Sequence, residues 1–273
     1  MFRVSTLRLG IQFLLVTVGI ITLTSFSIDA TDTLRGSQTA LGILVGKVGA
    51  PVCPSGMVRV EGDFPFCIDQ YENGVGNECL VRAPESPSET ALNAVDANCM
   101  AESIEGSVPW RYVTRSQAEQ LCARNGKRLP TREEWYASAL GTIDSTVCNQ
   151  SGQLRSAGSF SDCRSGVEAY DMVGNVWEFV QGEVEGGILD REPLPQSGYI
   201  AAIGAAGIPS QTTSTPQTIY NNDYFWSSAT GTFALMRGGY YGSNGDGGLY
   251  SAHAMIGLNF SSGAIGFRCA KSL

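Results

Sequence analysis

Few side chains in this chain could carry out chemistry, and their spacing narrows what that chemistry would be. The only histidine is His253, in Tyr250-Ser-Ala-His-Ala254, and no Gly-x-Ser-x-Gly elbow accompanies it. A serine hydrolase needs a histidine beside its nucleophile, so the sequence gives no support to a Ser-His-Asp triad. Eight cysteines are present: Cys53, Cys67, Cys79, Cys99, Cys122, Cys148, Cys163 and Cys269. None forms a Cys-x-x-Cys pair, which removes zinc-ribbon and thioredoxin readings. An even count in an oxidising compartment favours disulfides, but eight cysteines allow roughly a hundred full pairings and spacing alone does not choose.

Four blocks follow one another along the chain: Gly126-Lys-Arg-Leu-Pro-Thr-Arg-Glu-Glu-Trp135, Tyr170-Asp-Met-Val-Gly-Asn-Val-Trp-Glu178, Leu235-Met-Arg-Gly-Gly-Tyr-Tyr-Gly-Ser-Asn244 and Gly266-Phe-Arg-Cys-Ala270. With these blocks, the stretch from Met57 to Ala270 resembles the formylglycine-generating (sulfatase-modifying factor) family. The resemblance implies an α+β domain of C-type-lectin-like fold, irregular, loop-rich and stapled by disulfides. Active oxidases of that family carry two cysteines shortly after the Arg-Gly-Gly block, and soft thiolates of this kind are what a copper site demands. Counted from Gly238, those places hold Ser243 and Gly248 here. The resemblance thus implies the scaffold without its copper. A related branch, the ergothioneine-type sulfoxide synthases, uses a three-histidine iron site, and one histidine cannot build it.

The same resemblance implies a structural calcium ion at the second block. Asp171 and Glu178 would supply side-chain oxygens and Gly174 and Val176 main-chain carbonyls, the hard ligands that calcium prefers. Asn149 would correspond to a ligand of a second such site. The family pattern further implies a Cys122–Cys269 bridge joining a helix to the last strand. Sequence proximity then pairs Cys53 with Cys67, Cys79 with Cys99 and Cys148 with Cys163. Loops of this length would be stabilised by roughly 2–4 kcal/mol each.

Residues 240–263 contain tyrosine, serine, asparagine and glycine, one aspartate, and no lysine, arginine or glutamate. That is the composition of antibody binding loops, where rigid rings give contact area and small polar residues adapt their hydrogen bonds. The candidate contact residues are Tyr240, Tyr241, Ser243, Asn244, Asp246, Tyr250, His253 and Asn259. The segment also resembles the variable region of retroelement-diversified proteins, which use the same scaffold and end in a Gly-Phe-Arg strand. The expected function is therefore an exported, non-catalytic recognition module, in the manner of a diversified variable protein, for a protein or glycan at the cell exterior. A divergent metal-dependent oxidase and a structural envelope protein are the alternatives.

Composition and local signals say what must position these residues. The formal net charge is −8 with only three lysines, Lys47, Lys127 and Lys271, too few clustered cations to bind a nucleic-acid backbone. Arg3 and Arg8 precede an uncharged run from Leu9 to Ile28. This predicts export, with residues 1–30 either a signal peptide cleaved after Ala30 or an uncleaved membrane anchor over residues 9–28. Residues 31–52 read as a linker and 53–273 as the domain. Strands are expected at Met57–Glu61 and Phe66–Asp69, then a loop over residues 73–105 clipped by Cys79 and Cys99. Capping boxes at Thr114-Arg-Ser-Gln117 and Thr131-Arg-Glu-Glu134 predict two helices, ended near Gly126 and Gly141. Residues 182–232 read as long loops with a late aromatic cluster of Tyr220, Tyr224, Phe225 and Trp226. The core resumes at Phe233–Met236 and closes with a strand over Ile265–Ala270.

Overall fold

Thr114 and Thr131 start the two helices on which the domain is built. In the computed structural model, which describes residues 52–273, each threonine hydroxyl accepts the N–H three residues on, from Gln117 and from Glu134. The Gln117 and Glu134 side chains reach back to the threonine N–H, which completes both capping boxes. The expected signal or anchor segment, residues 1–30, and the linker as far as residue 51 lie outside the described residues.

The first half runs β1 (Met57–Val60), β2 (Phe66–Asp69), β3 (Asn73–Val75), α1 (Pro87–Val95), β4 (Ala101–Ser103), α2 (Arg115–Arg124) and α3 (Arg132–Ala139). The second half is all strand apart from two short 3-10 turns. It comprises β5 (Trp177–Glu185), β6 (Ile188–Leu189), β7 (Glu192–Pro193), β8 (Gly198–Ile203), β9 (Pro209–Thr213), β10 (Tyr224–Ser227), β11 (Thr232–Arg237), β12 (Ala252–Gly257), β13 (Ile265–Gly266) and β14 (Ala270–Ser272). Residues Cys53–Leu273 form one compact unit.

Three expectations need correction. Residues 73–105 are not a plain loop: they hold β3, α1 and β4. Ser86 caps α1 by accepting the Glu89 N–H, and Pro87 stands in its first turn. The Pro, Glu and Ser content that suggested a loop is also the content of a well-capped helix start. Residues 182–232 are likewise paired, from the end of β5 through β10. Strands of only two to six residues after β5 leave little alternation to read, and Gly186 and Gly187, both at positive φ, form the turn between β5 and β6. Finally, Ile265–Ala270 is not one strand. β13 runs parallel to β5 and β14 antiparallel to β2, so Phe267, Arg268 and Cys269 cross between sheets, fully buried.

The small sheet has the order β1-β2-β14, and the large one β7-β6-β5-β11-β12-β10-β8-β9 with β13 added to β5. One face of the large sheet packs on α3. There Trp135 and Ala139 meet Val180, Val184, Leu235, Phe225, Ala252 and Ala254. The other face is covered by α2 only over β5 and β11, where Ala118 and Leu121 meet Trp177, Phe179, Ala234 and Met236. Register carries this second face onward, from Phe179 to Met236 to His253 to Trp226, with Tyr224 opposite Tyr199. From His253 outward its rings are only half-buried.

The sulfurs join as Cys53–Cys67, Cys79–Cys99, Cys122–Cys269 and Cys148–Cys163. The third bridge spans 147 positions and ties α2 to the crossing segment before β14. Four disulfides belong to an oxidising compartment. No helix among the described residues is long and apolar enough to cross a membrane.

Candidate functional site

Arg237-Gly238-Gly239 turns the chain from β11 toward the open face. Both glycines have positive φ, and a Cβ on Gly238 would meet the Met172 carbonyl at 2.9 Å and the Trp135 ring at 3.2 Å. No side chain fits there, which explains the Gly-Gly pair. Residues 240–246 then form a loop pinned mainly through its main chain. Ser243 Oγ accepts the Tyr240 N–H at 2.9 Å, Asn244 N donates to the Gln150 carbonyl at 2.8 Å, Tyr241 N to the Asn175 carbonyl at 3.0 Å, and the Asp246 carbonyl accepts Tyr224 N at 2.8 Å.

Between this loop and the sheet lies a cleft of about 430 Å³, within the range of small-ligand sites. Five of the eight predicted contact residues line it: Tyr240, Ser243, Asn244, Asp246 and His253. The other three do not. Tyr241 stands beside Tyr240, ring to ring at 5.2 Å, outside the lining. Tyr250 is packed elsewhere, against Tyr220 at 5.4 Å and Tyr136 at 6.4 Å. Asn259 is exposed beyond the end of β12. Two rings of the lining that the sequence reading missed are Trp177, itself buried, and the half-buried Trp226. Trp226 belonged to the aromatic cluster already noted, and Trp177 sat inside the second block, where it reads as core.

Ser243 and Gly248 are the two places where the resemblance would put catalytic cysteines. Ser243 is buried in its turn. A side chain at Gly248 would run into the carboxylates of Asp144 and Asp223. These carboxylates hold the next three N–H groups: Leu249 on Asp144 at 2.7 Å, and Tyr250 and Ser251 on Asp223 at 2.7 and 3.1 Å. Burial pushes both acids above the usual aspartate range, Asp223 strongly so. All eight cysteines are in disulfides, so no thiol is left for a soft metal.

His253 lies between the tryptophans, stacked on Trp226 at 5.4 Å and edge-on to Trp177 at 5.6 Å. Its Nδ1 accepts the Met255 N–H at 3.3 Å, which leaves the proton on Nε2. Burial pulls its pKa down to about 4, so the ring is neutral at physiological pH. A depressed histidine binds fewer protons folded than unfolded between these values. Its contribution to stability is therefore full above about pH 6.5 and is lost as pH falls through about 4. Urea midpoints measured from pH 7 to 4 are expected to fall more steeply for wild type than for His253→Phe; parallel curves would contradict this.

The second block folds as a tight loop with Asp171, Gly174 and Asn175 at positive φ. Glu178 is buried and held by Arg268, with Nε 2.8 Å from each carboxylate oxygen, and it also accepts Trp135 Nε1 at 2.6 Å. Asp171 accepts the Gly158 N–H at 2.6 Å. Asn149 ties the loop together, donating its amide to Asn175 Oδ1 at 3.0 Å and accepting the Asn175 N–H on its carbonyl at 2.8 Å. Glu72 lies beside them, fully buried. Burial, with repulsion among the three carboxyls, pushes Glu72 well up and Asp171 up to about 6. Among the described residues no three His, Cys, Asp or Glu side chains surround one point. A cation here would therefore rest on Asp171, a Glu178 shared with Arg268, and main-chain oxygens. That donor set is hard, the kind calcium prefers, and Glu178 gives both its oxygens to Arg268 and one also to Trp135.

The sulfatase-modifying factor enzyme 1-like domain model matches residues 62–273. No curated protein matches the chain. Among solved structures, the Major Tropism Determinant U1 variant is similar at 20% identity and a TM-score of 0.47, over 82% of this chain and 54% of that one, so the chain spans about half the length of that protein. CarF is similar at 15% identity and a TM-score of 0.44, over 81% of this chain and 100% of that one. Treponema denticola variable protein 1 follows at 12% identity and a TM-score of 0.41, over 81% of this chain and 94% of that one. With the four blocks, the crossing segment and the disulfides in place, the chain belongs to the sulfatase-modifying factor enzyme 1-like family and has its C-type-lectin-like α+β fold.

Proposed function

We propose that this domain is an exported recognition module that holds its ligand in the Tyr240–Asp246 cleft without transforming it. One observation carries the reading: the cleft is walled by rings, aliphatic and small polar side chains with Asp246 as its one acid, while the positions that would hold reactive cysteines are a serine locked in a turn and a glycine closed off by two carboxylates. The loop's path is fixed mainly by main-chain hydrogen bonds, so side chains such as Tyr240 and Asp246 can be exchanged with little effect on it, whereas Asn244, at positive φ, is held by its backbone conformation. A ligand-matched or diversified surface needs that property. In a binding assay of the labelled domain against immobilised polysaccharides and surface-protein extracts, Trp226→Ala is expected to lose at least about tenfold in affinity. Tyr250→Ala, away from the cleft, is expected to retain binding and lose stability instead. Equal binding by the wild type and Trp226→Ala would sink the reading.

Calcium is proposed as a structural ion at the Asp171–Glu178 loop, with Asp171 and Glu178 as carboxylate ligands and the Gly174 and Val176 carbonyls completing the set. The support is a hard donor set on one tight loop, with Asp171 and Glu178 buried and a third buried carboxylate, Glu72, beside them. An ion that binds only the folded state raises its melting temperature, here by about 5 °C when present at some hundredfold over its dissociation constant. Millimolar calcium should produce that shift, EDTA should reverse it, and Asp171→Asn should abolish it. Identical melts with calcium and with EDTA would remove the site.

A further inference from the structure

The half-covered sheet face carries a continuous row of rings that extends beyond the cleft. Trp177 meets Trp226 at 5.5 Å, Trp226 meets Tyr224 at 4.9 Å, and Tyr224 meets Tyr199 at 5.2 Å. Phe225, between Tyr224 and Trp226 on β10, points to the opposite face and is fully buried. The row ends in a second cavity of about 560 Å³, lined by Tyr199, Tyr224, Gln196, Ser197, Thr212 and Thr213. Two cavities are thus joined by one row of rings carried on β5, β10 and β8.

The polar atoms in this row narrow the chemistry of what it binds. Of the four tryptophans, Trp110 donates its indole N–H to Thr90 at 3.2 Å and Trp135 donates to Glu178. Trp177 and Trp226, the two in the cleft, make no hydrogen bond through their indole nitrogens among the described residues. Neutral His253 adds a third N–H donor on Nε2. The ligand therefore presents acceptor atoms to these donors, which an ammonium group cannot do. An anion is disfavoured in turn, because no lysine or arginine lines either cavity and Asp246 stands in the cleft wall. A rigid protein surface meets its partner over about 800 Å² of broad contact, whereas these are two concave pockets joined by a strip. A molecule that combines apolar C–H faces with neutral hydroxyls able both to accept and to donate satisfies every one of these constraints.

We propose that the row binds a neutral glycan chain, with one end in the Trp177–Trp226–His253 cleft and the following sugars running along Tyr224 and Tyr199 into the Ser/Thr-lined cavity. This rests on the recognition reading and assigns its ligand class. The test is tryptophan fluorescence of the disulfide-bonded domain, titrated with neutral hexasaccharides and disaccharides of glucose, mannose and N-acetylglucosamine. At least one hexasaccharide is expected to give a saturable change below about 1 mM. Trp226→Ala should weaken it about tenfold or more, with Trp226→Phe intermediate because the ring is kept and the N–H lost. Tyr199→Ala should weaken the hexasaccharide while leaving its disaccharide unchanged, since only the longer chain reaches the second cavity. Near-wild-type melting of the Tyr199 and Trp226→Phe variants guards against simple unfolding. No response to any saccharide up to about 10 mM would overturn the glycan assignment. If a purified surface protein then bound in a Trp226-dependent way, recognition would stand with the wrong ligand class; if neither bound, both readings would fall.

Discussion

Arg268→Met is expected to destabilise the domain by about 3–5 kcal/mol, a large part of the total stability of an ordinary domain. Arg268 is fully buried and makes a two-oxygen ion pair with Glu178, itself 1% exposed. It also donates to the carbonyls of Asp69 at 3.0 Å and Tyr170 at 2.7 Å, so one guanidinium joins β2, β5 and the loop before Asp171. Methionine keeps much of the volume, so the cost arises from a buried carboxylate left without its partner beside Glu72 and Asp171. The sign follows from desolvation: two buried charges together are tolerable, and one alone is not. Arg268→Met combined with Glu178→Gln should recover part of the loss, because the unpaired charge is gone while an acceptor for Trp135 remains. Urea denaturation of the three proteins decides it. A single-variant loss under about 1 kcal/mol would mean that this pair does not hold the fold.

Arg237→Met is the second large effect expected, on the order of 3 kcal/mol, with a local consequence as well. Arg237 has no carboxylate in contact. It donates to four carbonyls instead: Ser251 at 2.9 Å, Ala206 at 3.0 Å, Leu249 at 3.0 Å and Gly207 at 3.3 Å. Its guanidinium lies 4.8 Å over the Trp135 ring. Burial lowers its pKa to about 10, which still leaves it charged at neutral pH. Four fixed acceptors and a ring suit a planar fork, not a point charge, so Arg237→Lys should recover less than half of the loss. Because two of the acceptors lie in residues 249–251, amide exchange there should quicken in Arg237→Met more than in β5. Uniform exchange across the domain would contradict a positioning role.

These two arginines give the sequence blocks a structural role that needs no reactive cysteine. Arg237 and Gly238 turn the chain, Arg268 locks the crossing segment, and Trp135 receives both, stacking on one guanidinium and donating to the carboxylate that pairs with the other. Such ties depend on residue identity at fixed places, which is why they were legible. The capping boxes at Thr114 and Thr131 were legible for the same reason: two side chains three apart satisfy N–H groups within a single turn. The α1 helix was obscured because Ser86-Pro87 reads equally as loop and as cap. Strands β6 to β9 pair mostly with their neighbours in sequence, β6 with β5 and β7 and β8 with β9, but at two to six residues they are too short to show an alternating pattern. At the cleft, composition found Tyr240, Ser243, Asn244, Asp246 and His253, which are near in sequence. It missed Trp177 and Trp226, which only the pairing of β5, β11, β12 and β10 brings to the same face. Tyr250 shares the composition but faces Tyr136 and Tyr220, because the turn held by Asp144 and Asp223 directs it away from the cleft.

The central claim, a recognition cleft on a scaffold that has lost its redox chemistry, is tested most directly by oxygen uptake. The disulfide-bonded domain would be loaded with copper and mixed aerobically with a cysteine-containing peptide and a reductant too weak to open its disulfides. With every cysteine bridged and Gly248 closed off by Asp144 and Asp223, uptake should equal that of the same mixture without the domain. Sustained uptake that requires the folded domain, and that is lost when one of its cysteines is changed to serine without loss of folding, would contradict the account and make this chain an oxidase.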